Sequence, residues 1–387
     1  MTFALQTRPE PAALPAHSTH DPVGFELGWD HAHYRASPPA AYLQEPSALR
    51  HGLQAGQAAF GKRTLEPARQ VQQWLQLRLH AWLHGRSVEL VQVTPHFLGQ
   101  LDVSHCPILR APLCAPGVDA QHLGHAVAGA TRQASHASVD RVRNDAGYAA
   151  GNLAVMSVKA NHAKASFGFR DAWKFVRRIE AGESGAGLAP AHGGIHGLNA
   201  AQWGRVAVLC SFVEPLAHGE ACGVPMLLLP PNRVRLFNPA QALQAFICRQ
   251  LLTPGWSQRI SRFEDLLPET SLKRDFNAFF MALLPRVLEA GKTTDALHTR
   301  WAVEDAWRNP LVLQRWGAFA RRLSADQCEA LVQKAHARQL GTSALQRYSR
   351  AQSTEGWNLE GRGYAAHEAA QDTPPHRSPP RQLLLLG

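Results

Sequence analysis

Residues Ser135–Lys164 read SHASVDRVRNDAGYAAGNLAVMSVKANHAK, and this stretch decides the fold. SVDRV reads as a short strand, with Asp140 directed one way and Val139 and Val142 available for packing. RNDAGYAAG follows as a turn-rich loop in which Gly147 and Gly151 are free to take positive φ. NLAVMS, opened by Asn152, is a second β-rich run. VKANHAKASF then reads as a helix with Asn161 and His162 on its first turns. The order strand, loop, strand, helix makes a β-β-α unit of about 30 residues. An acid on the first strand that faces an amide or imidazole from the helix can hold one hard divalent metal and leave positions open for water and phosphate.

These residues resemble the HNH, or ββα-metal, nuclease superfamily. The likeness is to a phage and bacterial branch whose signature runs S-x-D-R-I-x-x-x-x-G-Y-x-x-x-N, a strand, then A-N-x-x-K. The matching positions are Ser138, Asp140, Arg141, Val142, Gly147, Tyr148, Asn152, Ala160, Asn161 and Lys164. Upstream, CPILRAPL (Cys106–Leu113) is similar to a C-P-x-x-G-x-P-L element that often precedes the motif. The resemblance spans roughly residues 100–168. It implies that Asp140 and Asn161 ligate Mg2+ or Mn2+ and that Asn152 braces the loop between the strands. It places Arg141 where many members carry the histidine general base. Arginine stays protonated and cannot take a proton from water, but it can bind phosphate or stabilise transition-state charge. His162 and His136 are therefore the candidate bases, since a neutral imidazole has a suitable pKa. A zinc site of Cys106, Cys114, His122 and His125 is disfavoured, because its thiols lack the close C-x2–4-C spacing of zinc knuckles.

Charge points the same way. Lys+Arg number 40 against Asp+Glu 30, a formal +10 with a sequence pI near 9.7, which favours a polyanionic partner. Around the motif, Arg143, Lys159 and Lys164 are joined by Arg170, Lys174, Arg177 and Arg178. The last four share one helical face at i+3/i+4 spacing and form a ridge suited to a phosphate backbone. Trp173 and Phe175 read as core contacts rather than stacking platforms.

Farther out, residues 1–45 hold six prolines and read as a disordered arm, and 351–387, with PPHRSPPR, as a disordered tail. Residues 46–101 read as a helical N-terminal block. Thr64 would cap its main helix, with Pro67 in the first turn, Val71, Trp74, Leu75, Arg78, Leu79 and Trp82 at helical spacing, and Gly85 as the stop. Ser87–Val93 (SVELVQV) reads as a strand. Residues 102–182 form the motif-bearing module, 183–197 a Gly-rich linker, and 198–342 a mostly helical domain. In that domain Phe276, Phe279, Phe280, Leu283, Leu284, Val287 and Leu288 mark one apolar face, and Val312, Trp316, Phe319 and Leu323 another. Met226–Phe237 (MLLLPPNRVRLF) reads as two short strands about a Pro-Pro-Asn turn.

The expected class is α+β: a central HNH-like ββα-metal module flanked by mostly helical blocks, with disordered ends. No apolar run approaches the ~18 residues of a membrane span, and the N-terminus lacks the pattern of a secretory signal. Six sparse cysteines, read as free thiols, suit a reducing cytoplasm. Phosphate-loop, nucleophile-elbow and H-E-x-x-H motifs are absent. The leading expectation is metal-dependent hydrolysis of DNA. The alternatives are a degenerate HNH-like module that binds nucleic acid without cutting, and an interaction protein that meets a protein partner through 198–342.

Overall fold

A computed structural model describes residues 21–44, 46–114, 135–182, 194–290, 295–341 and 357. The expected positions His122 and His125, and residues 1–20 of the arm, lie outside them. The architecture is α-rich with a small two-stranded antiparallel sheet, an α+β arrangement. No described helix is long and apolar enough to cross a membrane.

The N-terminal helices are α1 (Pro22–His33), α2 (Ala48–Phe60), α3 (Arg69–Leu83) and α4 (Pro95–Leu101). The arm is thus not loose from residue 21 onward. Asp21 accepts from the amide of Val23, and Pro22 sits at the first helical position, where its missing N–H costs nothing. Leu27 of α1 then buries against Leu49 of α2 and Leu75, Leu79 and Trp82 of α3. Asp21 also accepts from the Trp82 indole, and Asp30 pairs with buried Arg78. Proline content alone misreads this segment. α3 starts at Arg69 after an uncapped Ala68, not at Thr64, and ends as expected at Gly85, whose φ is 58°.

SVELVQV forms no strand. Only Val88 makes a bridge, to Tyr148, and Glu89 bends the rest into a turn by accepting from the amides of Val91 and Gln92. Local capping overrides β propensity there. MLLLPPNRVRLF likewise contains no strand. Pro225 to Asn238 crosses the domain as irregular chain with Met226, Leu228, Leu229 and Val234 buried, and two adjacent prolines remove the donors a ladder needs.

Strands β1 (Ala137–Arg141) and β2 (Leu153–Ser157) pair in register, Asp140 opposite Ala154 and Ser138 opposite Met156. Every residue of both strands is buried. On one face Ala137, Val139, Leu153 and Val155 join Leu77 of α3 and Phe97, Leu98 and Leu101 of α4. On the other face Ser138 and Asp140 meet α5 (Val158–Lys164), which is capped by Ser157. α6 (Phe169–Glu180) follows and packs on α7 (Ala200–Val213).

The remaining helices are α8 (His218–Ala221), α9 (Pro239–Gln250), α10 (Trp256–Glu264), α11 (Thr270–Ala290), α12 (Ala296–Ala306), α13 (Pro310–Ala320) and α14 (Ala325–Ala337). They share one aromatic core with the far side of the hairpin. Phe276, Phe279, Phe280, Leu283 and Val287 of α11 enter it with Trp307, Trp316 and Phe319, whereas Leu288, expected there, is exposed. CPILRAPL is tied to both parts. Cys106 Sγ accepts from the amide of Ser157, and Arg110 pairs with Glu304 and Asp305 on α12. Arg110 takes φ 60° at the position where the resembled element carries glycine, and those two carboxylates hold it there. All six cysteines are free, five of them buried.

Candidate functional site

Of the two residues expected to hold metal, Asp140 lies under α5 and Asn161 projects from it, and both help hold that helix to the hairpin. Ser138 and Asp140, two apart on a strand, share a face. Asn161 and Lys164, three apart on a helix, also share a face. The pairs meet rung by rung. Asn161 Nδ2 donates to Ser138 Oγ at 2.7 Å, and Lys164 Nζ lies 2.9 Å from Asp140 Oδ2 while donating to the Arg141 carbonyl at 3.0 Å. The Lys164 side chain is 0% exposed and that of Asp140 3%. Burial pushes the Asp140 carboxyl above its usual range, with Lys164 the largest influence opposing it.

These residues do not fit a divalent cation. Mg2+ keeps several waters and wants near-octahedral oxygen at ~2.0–2.1 Å. Asp140 instead faces a buried ammonium, and Asn161, 0% exposed, offers a single oxygen, Oδ1, which has no hydrogen-bond partner among the described residues. No group of three or more His, Cys, Asp or Glu suited to a metal occurs among the described residues. For zinc, Cys106 is buried and accepts from the amides of Leu109 and Ser157, and exposed Cys114 accepts from Ser135 Oγ.

Arg141 is also committed. Its Nη1 donates to the carbonyls of Asn144 and Ala146, and its guanidinium lies 5.0 Å over the Tyr148 ring. Asn152 does brace the loop: Oδ1 accepts from the amide of Arg143, and Nδ2 donates to the carbonyls of Arg143 and Gly147. Gly151, at φ 87°, lets the loop pass Arg235, whose side chain a Cβ there would strike at 2.1 Å. Of the candidate bases, His162 is exposed on the outer face of α5, away from buried Asp140, and His136 is half-buried before β1. The structure therefore does not bring acid, amide and imidazole together.

It does bring the expected cations to the surface. α6 buries Phe169, Ala172 and Val176 and leaves Arg170, Lys174, Arg177 and Arg178 exposed on the opposite side. Arg170 and Lys174 are 74% and 72% exposed, with loose contacts to Glu220 at 3.5 Å and Asp171 at 3.8 Å. Lys159 is exposed on α5, whereas Arg143 is bound bidentately to Asp145 at 2.7–2.8 Å and Lys164 is interior. Trp173 and Phe175 are half-buried and pack against the core, Trp173 on Phe169 and Phe175 on Trp203.

Three supporting residues were not foreseen. Glu214 accepts from the Phe169 amide at 2.8 Å, capping α6 where Gly168 has no side chain to do so. Trp357, in the segment read as a loose tail, is fully buried against Phe237. Its Nε1 donates to the Ala150 carbonyl and its own carbonyl accepts from Gly147, so it fastens the inter-strand loop. His196, at the end of the expected linker, stacks on Phe167. None of the three falls in a periodic pattern that sequence reading could seize. Set against protein-family models, curated proteins and solved structures, the chain matches none of them.

Proposed function

We propose that this protein binds nucleic acid through the basic face of α6 and the adjoining end of α5, on a ββα scaffold that needs no metal to hold its shape. The observation that carries this reading is the division of α6: an apolar side locked into the core and an outer side bearing Arg170, Lys174, Arg177 and Arg178. Exposed guanidinium and ammonium groups on a rigid helix gain phosphate contacts with little reorganisation. The formal +10 charge adds long-range attraction. Binding without hydrolysis is favoured over endonuclease action by the buried Asp140–Lys164 pair, since the carboxylate already has its cation.

The test is fluorescence anisotropy of labelled DNA in EDTA over a salt series. Neutralising the four α6 cations should lower the slope of log K against log salt by roughly 3 to 4 units, at ~0.9 per contact on duplex or ~0.7 on single strands, with melting unchanged. An unchanged slope overturns the reading. Plasmid nicking with Mg2+ or Mn2+ that is lost in Asp140→Asn, in protein that still melts normally, would restore the endonuclease.

A further inference from the structure

The basic face of α6 is bordered by aromatic rings. At roughly 100° per residue, Phe175 stands between the buried arc of Phe169, Ala172 and Val176 and the charged side, next to Arg178 one turn on. His196 lies against this edge. It is exposed, its ring stacks on Phe167 with centroids 5.4 Å apart and planes 29° apart, and it meets Phe175 edge-on at 5.6 Å. Phe167 and Phe175 buttress each other at 4.9 Å.

The loop beneath is rigid. Buried Trp203 donates Nε1 to the Ile195 carbonyl at 2.8 Å, and Ile195 and Leu198 exchange both backbone hydrogen bonds at 3.0 Å. His196 is held between them at φ 50°, a conformation uncommon for a residue with a side chain. On its other side Lys159 reaches in from α5, and a Cβ on Gly197 would sit 3.8 Å from Lys159 Cε. A solvent-facing aromatic ring, fixed in orientation and flanked by cations from two helices, is the arrangement that takes a nucleobase between phosphates.

We propose that His196 is a stacking platform for an unpaired base, with Lys159 and the α6 cations on the neighbouring phosphates, so that the nucleic acid bound is single-stranded. This rests on the nucleic-acid reading above and specifies its ligand. A duplex keeps its bases stacked inside and offers the surface only its backbone and groove edges, whereas every unpaired base offers a π face.

The experiment compares wild type, His196→Ala and His196→Trp on a single-stranded DNA, an RNA of the same sequence and the corresponding DNA duplex. His196→Ala should weaken both single strands about 5- to 150-fold, the equivalent of ~1–3 kcal/mol per stacked base. It should leave duplex affinity within about twofold, the salt slope unchanged because no phosphate contact is lost, and the melting temperature unchanged. His196→Trp should bind single strands at least as tightly as wild type. An equal loss on single strand and duplex, no loss at all, or a loss confined to one kind of strand would overturn stacking while leaving the basic-face reading intact. A wild-type protein that binds no nucleic acid at low salt would overturn both.

Discussion

Replacing Lys164 by Met tests whether the motif residues serve as a structural clamp. The ammonium and the Asp140 carboxylate sit 2.9 Å apart, and neither side chain is more than 3% exposed. At an effective dielectric of ~20 their attraction is about 6 kcal/mol, much of it offset by the cost of taking both charges out of water. Removing one partner keeps that cost and loses the attraction, which in buried pairs destabilises by ~3–5 kcal/mol. The Arg141 carbonyl also loses its donor from Lys164. Lys164→Met and Asp140→Leu should each lose ~3–5 kcal/mol, and the double variant, with no stranded charge, should lie within ~2 kcal/mol of wild type. Urea unfolding with an unchanged m value measures this. Mn2+ should not shift the wild-type midpoint. Single variants within ~1 kcal/mol of wild type, or losses that simply add in the double, would refute the clamp. A midpoint that Mn2+ raises in wild type but not in Asp140→Asn would return Asp140 to the role of metal ligand.

Three further outcomes follow from the same geometry. In Lys164→Met the Asp140 carboxyl, already raised by burial, loses the largest influence lowering it; the folded state then keeps a proton that the unfolded chain releases near pH ~3.8, so stability should fall as pH rises from there through the folded value, over a wider window than in wild type, as read by melting at pH ~4 to 8. Glu214→Ala removes the acceptor of the Phe169 amide and should cost ~0.5–2 kcal/mol, with faster hydrogen exchange in the first turn of α6 and a matching loss of DNA affinity. Trp357→Ala should cost ~3–5 kcal/mol, whereas Trp357→Phe, which loses the bond to the Ala150 carbonyl, should cost only ~0.5–1.5 kcal/mol; exchange at the Gly147 amide distinguishes the two.

The spacing S-x-D against N-x-x-K was sufficient to foresee a hairpin followed by a helix, because a period of two on a strand and of three or four on a helix each select one face. The same spacing left open what those faces do to each other. Which way Asp140 looks depends on which face of the hairpin is covered by what: α3 and α4 take the Val139 face, through contacts between residues far apart in sequence, and α5 takes the face of Asp140. The charged side of α6 was legible for the converse reason: exposed residues on an amphipathic helix answer only to local period. His196 sits in a Gly-rich run and Trp357 among polar residues, so neither belonged to a pattern. SVELVQV forms no strand because the Glu89 carboxylate caps its own turn, a competition that residue counts for strands do not weigh.

The fastening of the inter-strand loop by Trp357 also sets an order of events during synthesis. The indole and the carbonyl it binds are separated by 207 residues. At ~5–20 residues per second, a ribosome takes roughly 10–40 s to cover that distance. Both strands and α5 leave the tunnel early and can pair within microseconds to milliseconds of doing so. Through the interval the newborn loop leaves the Gly147 amide and the Ala150 carbonyl to water, and the module acquires its final rigidity only once Trp357 has emerged.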